Sequence, residues 1–198
     1  MKIDEFKLKG KTVEIHQDDL AESPRNWDNL GTMAFFHRRY NVGDELEFYS
    51  PEELSDFLAD EDPIALAVRG YDHGGLTISA GNSLGLFRYP YNDSWDSGLL
   101  GYIYVTKERV RRDYGWKNLT KERIAKIESY LRSEVDIYDL YLQGRVYGYI
   151  ATCDSCGEED SCWGFYGEEW KENGVYEHTD YYCSCLERQY NQLVDIRE

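Results

Sequence analysis

The sequence predicts an α+β fold, and three observations support that prediction. Short apolar or alternating segments, typical of β-strands, recur along the chain. Capping signals mark several helix starts between them. The strand and helix signals follow one another in mixed order, which favours antiparallel pairing over a regular parallel sheet. We therefore expect a single domain over residues 1–198, with a mainly antiparallel sheet of about five or six strands and three or four helices.

The strand predictions rest on side-chain alternation and on turn residues. Residues 76–79 follow the turn signal Asp72-His73-Gly74-Gly75, so they should form a hairpin with residues 64–69. The apolar run at residues 30–40 fits either a buried strand or a helical turn. Similar sequences at 100–103 and 147–150 predict two neighbouring strands. The full set of clear strand patterns lies at residues 11–16, 64–69, 76–79, 100–105, 145–151 and 163–166.

Capping residues predict the helix starts. Ser50-Pro51-Glu52-Glu53 combines an N-cap serine, a proline at the first helical position and a capping-box glutamate, and this helix should end before Pro63. Thr106 and Thr120 are N-caps that precede the same Lys-Glu-Arg sequence. The second of these two helices has the clearest apolar period and should end at Gly144. A C-terminal helix is expected from residue 179 to residue 194.

The composition excludes several classes of protein. The chain has 198 residues, a formal net charge of -16 and 15% aromatic residues, which is unlike a disordered polypeptide. No apolar run reaches the roughly 18 residues that cross a bilayer, and the N-terminus lacks the apolar stretch of a signal peptide. We therefore expect a cytoplasmic protein without membrane contact. The negative charge argues against direct binding to duplex DNA.

The excess negative charge is concentrated in two segments. Residues 44–62 contain nine acids and no base, and residues 151–198 contain twelve acids and three bases. High charge can simply maintain solubility, or it can form an acidic surface that binds a basic partner. The predicted interaction surface consists of Asp44, Glu45, Glu47, Glu52, Glu53, Asp56, Asp60, Glu61, Asp62, Glu158, Glu159, Asp160, Glu168 and Glu169.

All five cysteines lie in the last 46 residues, so residues 151–198 form a cysteine-containing C-terminal segment of the domain. Cys153-x-x-Cys156 and Cys183-x-Cys185 resemble the two ligand pairs of a structural zinc site, because thiolates bind Zn²⁺ well. Cys162 and His178 are further candidate ligands. Reduced cysteines without a metal and redox-active cysteines remain alternatives, so the cofactor is either none or structural zinc.

Three loops place an acid beside an aromatic ring and predict a ligand pocket. The candidate pocket residues are Trp27, Asp28, His37, Arg38, Asp72, His73, Trp95 and Asp96. Aromatic walls with a few polar groups are typical of small-molecule sites, and the acids could also bind a divalent cation. Alternatively, each aspartate caps a turn while its aromatic neighbour anchors the loop. His73 beside Asp72 could act as an acid or base, but no nucleophile motif accompanies it, which favours a non-enzymatic protein.

A set of motifs resembles a known protein family. The motifs are Ser23-Pro24-Arg25-Asn26-Trp27-Asp28-Asn29-Leu30-Gly31-Thr32-Met33, Tyr71-Asp72-His73-Gly74-Gly75, Trp95-Asp96-Ser97-Gly98 followed by Gly101-Tyr102-Ile103-Tyr104-Val105, and Ser161-Cys162-Trp163-Gly164-Phe165-Tyr166-Gly167. Together they resemble a family of uncharacterised proteins encoded by bacteriophages, prophages and plasmids. The resemblance spans residues 23–167 and brings no catalytic residues with it.

The resemblance implies an accessory protein of a mobile element in a bacterial cytoplasm. By analogy, such a protein would inhibit a host defence component, for example a restriction or CRISPR nuclease, by presenting its acidic surface as a nucleic-acid mimic. The alternative is a small-ligand or nucleotide-binding or nucleotide-processing domain that uses the aromatic–acid loops. A third alternative is an assembly module that forms a homodimer through exposed tyrosine and tryptophan.

Overall fold

A computed structural model describes residues 1–45, 47–81, 96–179, 183 and 185. Within these residues the chain forms four α-helices and two antiparallel four-stranded sheets, which confirms the α+β class. The strands are more numerous than the five or six expected, and they form two sheets instead of one. Most of the predicted C-terminal helix and the candidate pocket residue Trp95 lie outside the described residues.

The chain divides into two compact units. Unit 1 consists of Met1–Glu22 and Gly144–Glu198, and unit 2 consists of Ser23–Gln143. Each sheet belongs to one unit, so each unit has its own core.

Unit 1 contains a sheet with the strand order β1-β2-β7-β8 and one short helix. Its core is formed by residues of the inner strands, including Val13, Ile15 and Tyr149, together with Phe165 and Val175. The sequence patterns did not reveal β1, because four of its seven residues are charged and it is an edge strand. The elements of unit 1 are β1 (Lys2–Leu8), β2 (Lys11–Gln17), β7 (Val146–Cys153), β8 (Glu159–Tyr166) and α4 (Val175–Thr179).

Unit 2 contains a sheet with the strand order β3-β6-β4-β5 and three helices. Because side chains alternate along a strand, Leu66 and Val68 pack with α3 residues such as Leu131 on one face. On the other face, Leu54 of α1 packs with Tyr104. The elements are a 3-10 turn (Pro24–Asn26), β3 (Thr32–Phe35), α1 (Pro51–Glu61), β4 (Ile64–Asp72), β5 (Leu76–Ala80), β6 (Ser97–Val105), α2 (Lys107–Tyr114) and α3 (Lys121–Leu142).

The predicted helix caps are confirmed. The side chains of Ser50, Thr106 and Thr120 each accept a hydrogen bond from the backbone N–H three residues later. The helices that start after Ser50 and Thr120 end close to the predicted residues, and Gly115 takes the left-handed conformation at the end of α2. Capping could be predicted because it depends on residues that are adjacent in sequence.

The predicted pairing of residues 100–103 with residues 147–150 is wrong. The first segment belongs to β6 in unit 2, whereas the second belongs to β7 in unit 1 and pairs with β2 and β8. The two similar segments are each part of an inner strand, but of different sheets. Among the described residues, no helix combines the length and apolar character needed to span a membrane.

Candidate functional sites

The first candidate site begins at the turn between β7 and β8. Cys153 is the last residue of β7, and its carbonyl accepts a hydrogen bond from Gly157 N at 2.9 Å. The N–H of Cys153 in turn donates to Glu158 O at 2.8 Å. Gly157 has a φ of +75°, a conformation that disfavours side chains, so glycine suits this position. The tight turn brings Cys156 back towards Cys153.

The second cysteine pair meets the first at this turn. The Sγ–Sγ distances are 3.3 Å for Cys153 and Cys185, 3.4 Å for Cys156 and Cys183, and 2.9 Å for Cys183 and Cys185. All four sulfur atoms lie within 4.8 Å of one another, and none of the four cysteines forms a disulfide bond. Tetrahedral Zn²⁺ with Zn–S bonds of about 2.3 Å would separate its sulfur ligands by about 3.8 Å, which lies inside this range. The four cysteines therefore cluster at metal-binding distance.

Backbone hydrogen bonds already favour a thiolate in this cluster. The N–H groups of Ser155 and Cys156 hydrogen-bond to Cys153, and together with its neighbouring thiols they lower the pKa of Cys153 to about 6. The pKa of Cys185 is raised, because Cys183, Cys156 and Cys153 hydrogen-bond to it in its protonated form. This pattern fits one thiolate sulfur that is surrounded by protonated thiols. A bound metal ion would replace the protons of those thiols.

The two further candidate ligands do not join the cluster. Cys162 lies on β8, and its sulfur contacts the carbonyl of Trp163. The ring of His178 packs edge-on against Phe165 at 5.3 Å. Among the described residues, the four cysteines form the only group of three or more histidine, cysteine or acidic side chains that could hold a metal ion.

The second candidate site is a cavity of about 410 Å³ in unit 2. It is lined by residues 36–39, which follow β3, and by residues of the first half of β6. Four predicted pocket residues line it, namely His37, Arg38, Asp72 and Asp96. The structure therefore brings together half of the predicted pocket from three separate segments of the chain.

The ring of His37 is held in one orientation. Its Nδ1 atom accepts backbone N–H groups from Arg39 and Tyr40, both at 3.2 Å. Because Nδ1 accepts these hydrogen bonds, the ring N–H is at Nε2, which lies 3.8 Å from Asp72 Oδ2. Arg39 and the Tyr40 hydroxyl also approach the Asp72 carboxylate, at 3.4 Å and 3.5 Å. The cavity thus offers N–H donors beside a carboxylate acceptor.

A histidine–aspartate pair lies at the edge of this cavity. His73 Nδ1 lies 3.0 Å from Asp96 Oδ2, and the imidazole is mostly exposed. In the sequence His73 lies beside Asp72, but in the structure its carboxylate partner is Asp96, which directly precedes β6. The carboxylate therefore orients the imidazole through its Nδ1 atom.

Trp27 and Asp28 do not line the cavity, and Trp95 lies outside the described residues. Trp27 and Asp28 are exposed and precede β3, whereas the cavity lies beyond the other end of that strand. The prediction that all three aromatic–acid loops converge is therefore wrong for this loop. The sequence alone could not show it, because the four-residue strand β3 separates the two positions.

Several acids of the predicted interaction surface have structural partners. Asp44 forms a two-bond ion pair with buried Arg25, and Glu168 pairs with Arg145. Asp160 accepts a hydrogen bond from the Tyr149 hydroxyl, Asp62 pairs with Lys107, Glu53 caps Tyr49 N and Glu159 contacts Thr152. Each of these acids therefore contacts another group of this chain.

Other acids are exposed and form a regular row. Glu52, Asp56 and Asp60 are spaced four residues apart on α1, which places them on one side of the helix about 6 Å apart. We call these three residues the α1 acidic stripe. Within the described residues, they have no ion pair within 4.0 Å. The predicted interaction surface stays a prediction. Its acids without an ion pair in the described residues are this stripe and the exposed residues Glu45, Glu47, Glu61, Glu158 and Glu169.

The sequence analysis missed two buried cations. Lys11 is 2% exposed in unit 1, and the Arg25 side chain is 6% exposed in unit 2. Burial alone would lower the pKa of Arg25, but its hydrogen bonds to Asp44 and Glu134 raise it above the ordinary value. The strand alternation at residues 11–16 was a usable signal for Lys11, because it places residue 11 on the same face as Val13 and Ile15.

Comparison with known proteins leaves the chain without an assigned family. No family model matches it, and neither the curated proteins nor the solved structures include a match. The resemblance to phage, prophage and plasmid proteins therefore stays an expectation.

Proposed function

We propose that unit 1 binds one Zn²⁺ through Cys153, Cys156, Cys183 and Cys185, and that this ion has a structural role. The observation that supports the proposal is the cluster of four sulfur atoms within 4.8 Å of one another. Four thiolates complete a tetrahedral shell, which leaves no position for water or substrate. Such a closed shell is typical of structural rather than catalytic zinc.

The proposed ion would fasten the C-terminal segment to the sheet. Cys153 and Cys156 belong to the β7–β8 turn, whereas Cys183 and Cys185 follow α4. The cysteines have to be deprotonated to bind the metal, so the ion couples the folding of this region to metal binding. Metal removal should therefore loosen the C-terminal segment before it unfolds unit 2.

Native mass spectrometry of protein purified without chelator tests this proposal. The wild type and the Cys162→Ser variant should each retain one zinc ion, because Cys162 lies outside the cluster. The Cys156→Ser variant should retain far less. Wild-type protein without zinc after reconstitution under reducing conditions, or cysteines found paired as disulfides, would contradict the proposal.

We further propose that the cavity of unit 2 binds a small polar ligand. The convergence of His37, Arg38, Asp72 and Asp96 on one cavity of about 410 Å³ favours this second function. Its size lies within the range of small-molecule sites. The arginines and the Nε2–H of His37 would donate hydrogen bonds to ligand oxygens, and the carboxylates would accept hydrogen bonds from hydroxyl or amino groups. A ligand with phosphate and hydroxyl groups, such as a nucleotide, fits this combination.

A binding screen with Asp72→Asn and Asp28→Asn tests the cavity. Both variants remove one negative charge, but only Asp72 lines the cavity. A nucleotide or sugar phosphate that raises the melting temperature of the wild type and of Asp28→Asn, but not of Asp72→Asn, would support the proposal. Binding that is equal in all three proteins would place the ligand elsewhere, and no binding of any phosphorylated or hydroxylated probe would contradict it.

The acidic surface supports a narrower form of the anti-defence hypothesis. We propose that the α1 acidic stripe is the part of the surface that contacts a basic host protein. Like charges four residues apart destabilise a helix by a few tenths of a kcal/mol per pair, so the row costs stability within this chain. Steering of a basic partner would give these charges a use outside the fold.

A further inference from the structure

Lys11 is a buried cation beside the cysteine cluster. It is the first residue of β2 and lies directly opposite Cys153 of β7 in the antiparallel ladder. Side chains of directly opposite residues project from the same face of a sheet, with Cβ atoms about 5 Å apart. Lys11 and Cys153 are each 2% exposed, so both side chains are enclosed on that face.

The ammonium group of Lys11 also contacts the segment that carries the second cysteine pair. Its Nζ donates a hydrogen bond of 2.7 Å to the carbonyl oxygen of Thr179. Thr179 is the last residue of α4 and precedes Cys183 by four positions. Lys11 therefore connects the β2–β7 ladder, where the first pair begins, with the chain that leads to the second pair.

The charge of Lys11 matches a need of the proposed metal centre. A buried ammonium group is costly unless an opposite charge or several hydrogen bonds compensate it. Four thiolates around Zn²⁺ carry a net charge of -2, which also requires compensation when the centre is partly buried. The positive charge of Lys11 would lower the cost of burying this centre.

We propose that Lys11 is a positioning residue for the zinc centre: its charge stabilises the tetrathiolate form, and its hydrogen bond to Thr179 holds the second cysteine pair in place. This inference rests on the proposed zinc site. It assigns a role to a residue outside the coordination shell, where partners commonly change metal affinity by about 10-fold to 100-fold.

Zinc affinity measured by competition with a chromophoric chelator tests the inference. Lys11→Met keeps an unbranched apolar chain but removes the charge, so it should weaken zinc binding about 10-fold to 100-fold. Lys11→Arg should restore most of the affinity. The matched control is Lys7→Met, because Lys7 pairs with Asp154 in the same turn but its side chain is 66% exposed. Its effect should stay within about threefold, since exposed pairs contribute little.

Thermal unfolding of the metal-free and zinc-bound variants separates this role from a purely structural one. Lys11→Met also removes the hydrogen bond to Thr179, so the metal-free variant should lose some stability, but the zinc-bound variant should lose more, because only the bound form contains the doubly negative centre. Should Lys11→Met fail to fold, Lys11→Gln removes the charge while keeping a donor, and the same comparison applies.

Two results would overturn the inference, and they are distinguishable from failure of the zinc proposal. Unchanged affinity in Lys11→Met, while the wild type binds zinc tightly, refutes the role of Lys11 alone. An affinity loss that Lys11→Arg does not restore, together with an equal loss of metal-free stability, indicates general structural damage. Wild-type protein that does not bind zinc refutes the proposed function and this inference with it.

Discussion

Asp44 should contribute to the stability of unit 2 much more than its exposed acidic neighbours do. Its carboxylate accepts two hydrogen bonds from Arg25, at 2.8 Å and 2.7 Å, and a third from Met33 N at 2.8 Å. Arg25 also bonds Glu134 and the carbonyl of Gly31. This network fastens the chain before β3 to α3 and to the loop after β3. We therefore consider the substitution Asp44→Ala.

The expected loss follows from the burial of the arginine. The side chain of Arg25 is 6% exposed and that of Asp44 is 23% exposed. Removal of one partner from a buried pair typically costs about 3–5 kcal/mol, because the other charge is left without compensation. Glu134 stays 3.0 Å from Arg25, which moves the expected value to the lower end. A loss of about 3 kcal/mol corresponds to roughly a hundredfold change in the unfolding equilibrium.

Native-state hydrogen exchange measures this loss within unit 2, without assuming that both units unfold together. The slowest amides of β4 and β6 should exchange about a hundredfold faster in Asp44→Ala. The matched controls are Glu45→Ala and Glu47→Ala, because both residues are exposed acids of the same segment. Each should change stability by no more than about 0.5 kcal/mol. Equal effects in all three variants would refute the structural role that we assign to Asp44.

Three further predictions concern pH, backbone packing and the acidic surface. The hydrogen bond from Arg145 lowers the pKa of Glu168 below its ordinary value of 4.5, so the stabilising effect of this pair is present above pH 4.5 and is lost as the pH falls. Glu168→Gln should therefore reduce the acid-induced shift of the urea midpoint of unit 1. An unchanged shift would contradict this prediction. Gly101→Ala should destabilise unit 2 by about 2 kcal/mol or more, as measured by denaturant unfolding. The reason is that the added Cβ would lie 2.0 Å from the backbone oxygen of Ala34 and that φ at this position is +156°. A loss below about 0.5 kcal/mol would refute this explanation of why residue 101 is glycine. Substitution of the α1 acidic stripe by Gln and Asn should leave folding intact. It should also abolish most of the salt dependence of binding to a basic partner, because salt screens exposed charges. Partner binding with the same salt dependence would exclude the stripe as the contact surface.

Local features of the fold could be predicted from the sequence, whereas the division into two sheets could not. Capping at Ser50, Thr106 and Thr120 depends on bonds between residues three apart, so the sequence contains all the information needed. The pairing of β2 with β7 joins residues 130 or more positions apart, with the whole of unit 2 between them in the sequence. Strand patterns alone do not specify such partners.

The candidate sites show the same distinction between local and distant information. The Cys153-x-x-Cys156 turn could be predicted because spacing and glycine determine its conformation. That Cys183-x-Cys185 reaches this turn could be expected only from the chemistry of thiol ligands, and the geometry now supports it. The contact of His73 with Asp96 could not be predicted, because the two residues are 23 positions apart in the sequence.

The division into two units makes the two proposed functions experimentally separable. The cysteine cluster belongs entirely to unit 1, and the cavity belongs entirely to unit 2. Chelation should therefore lower the unfolding temperature of unit 1 and leave ligand binding at Asp72 unchanged, while Asp72→Asn should leave the zinc content unchanged. If chelation abolished ligand binding, the metal would have to act on more than the stability of unit 1. A purely structural role for the zinc would then be ruled out.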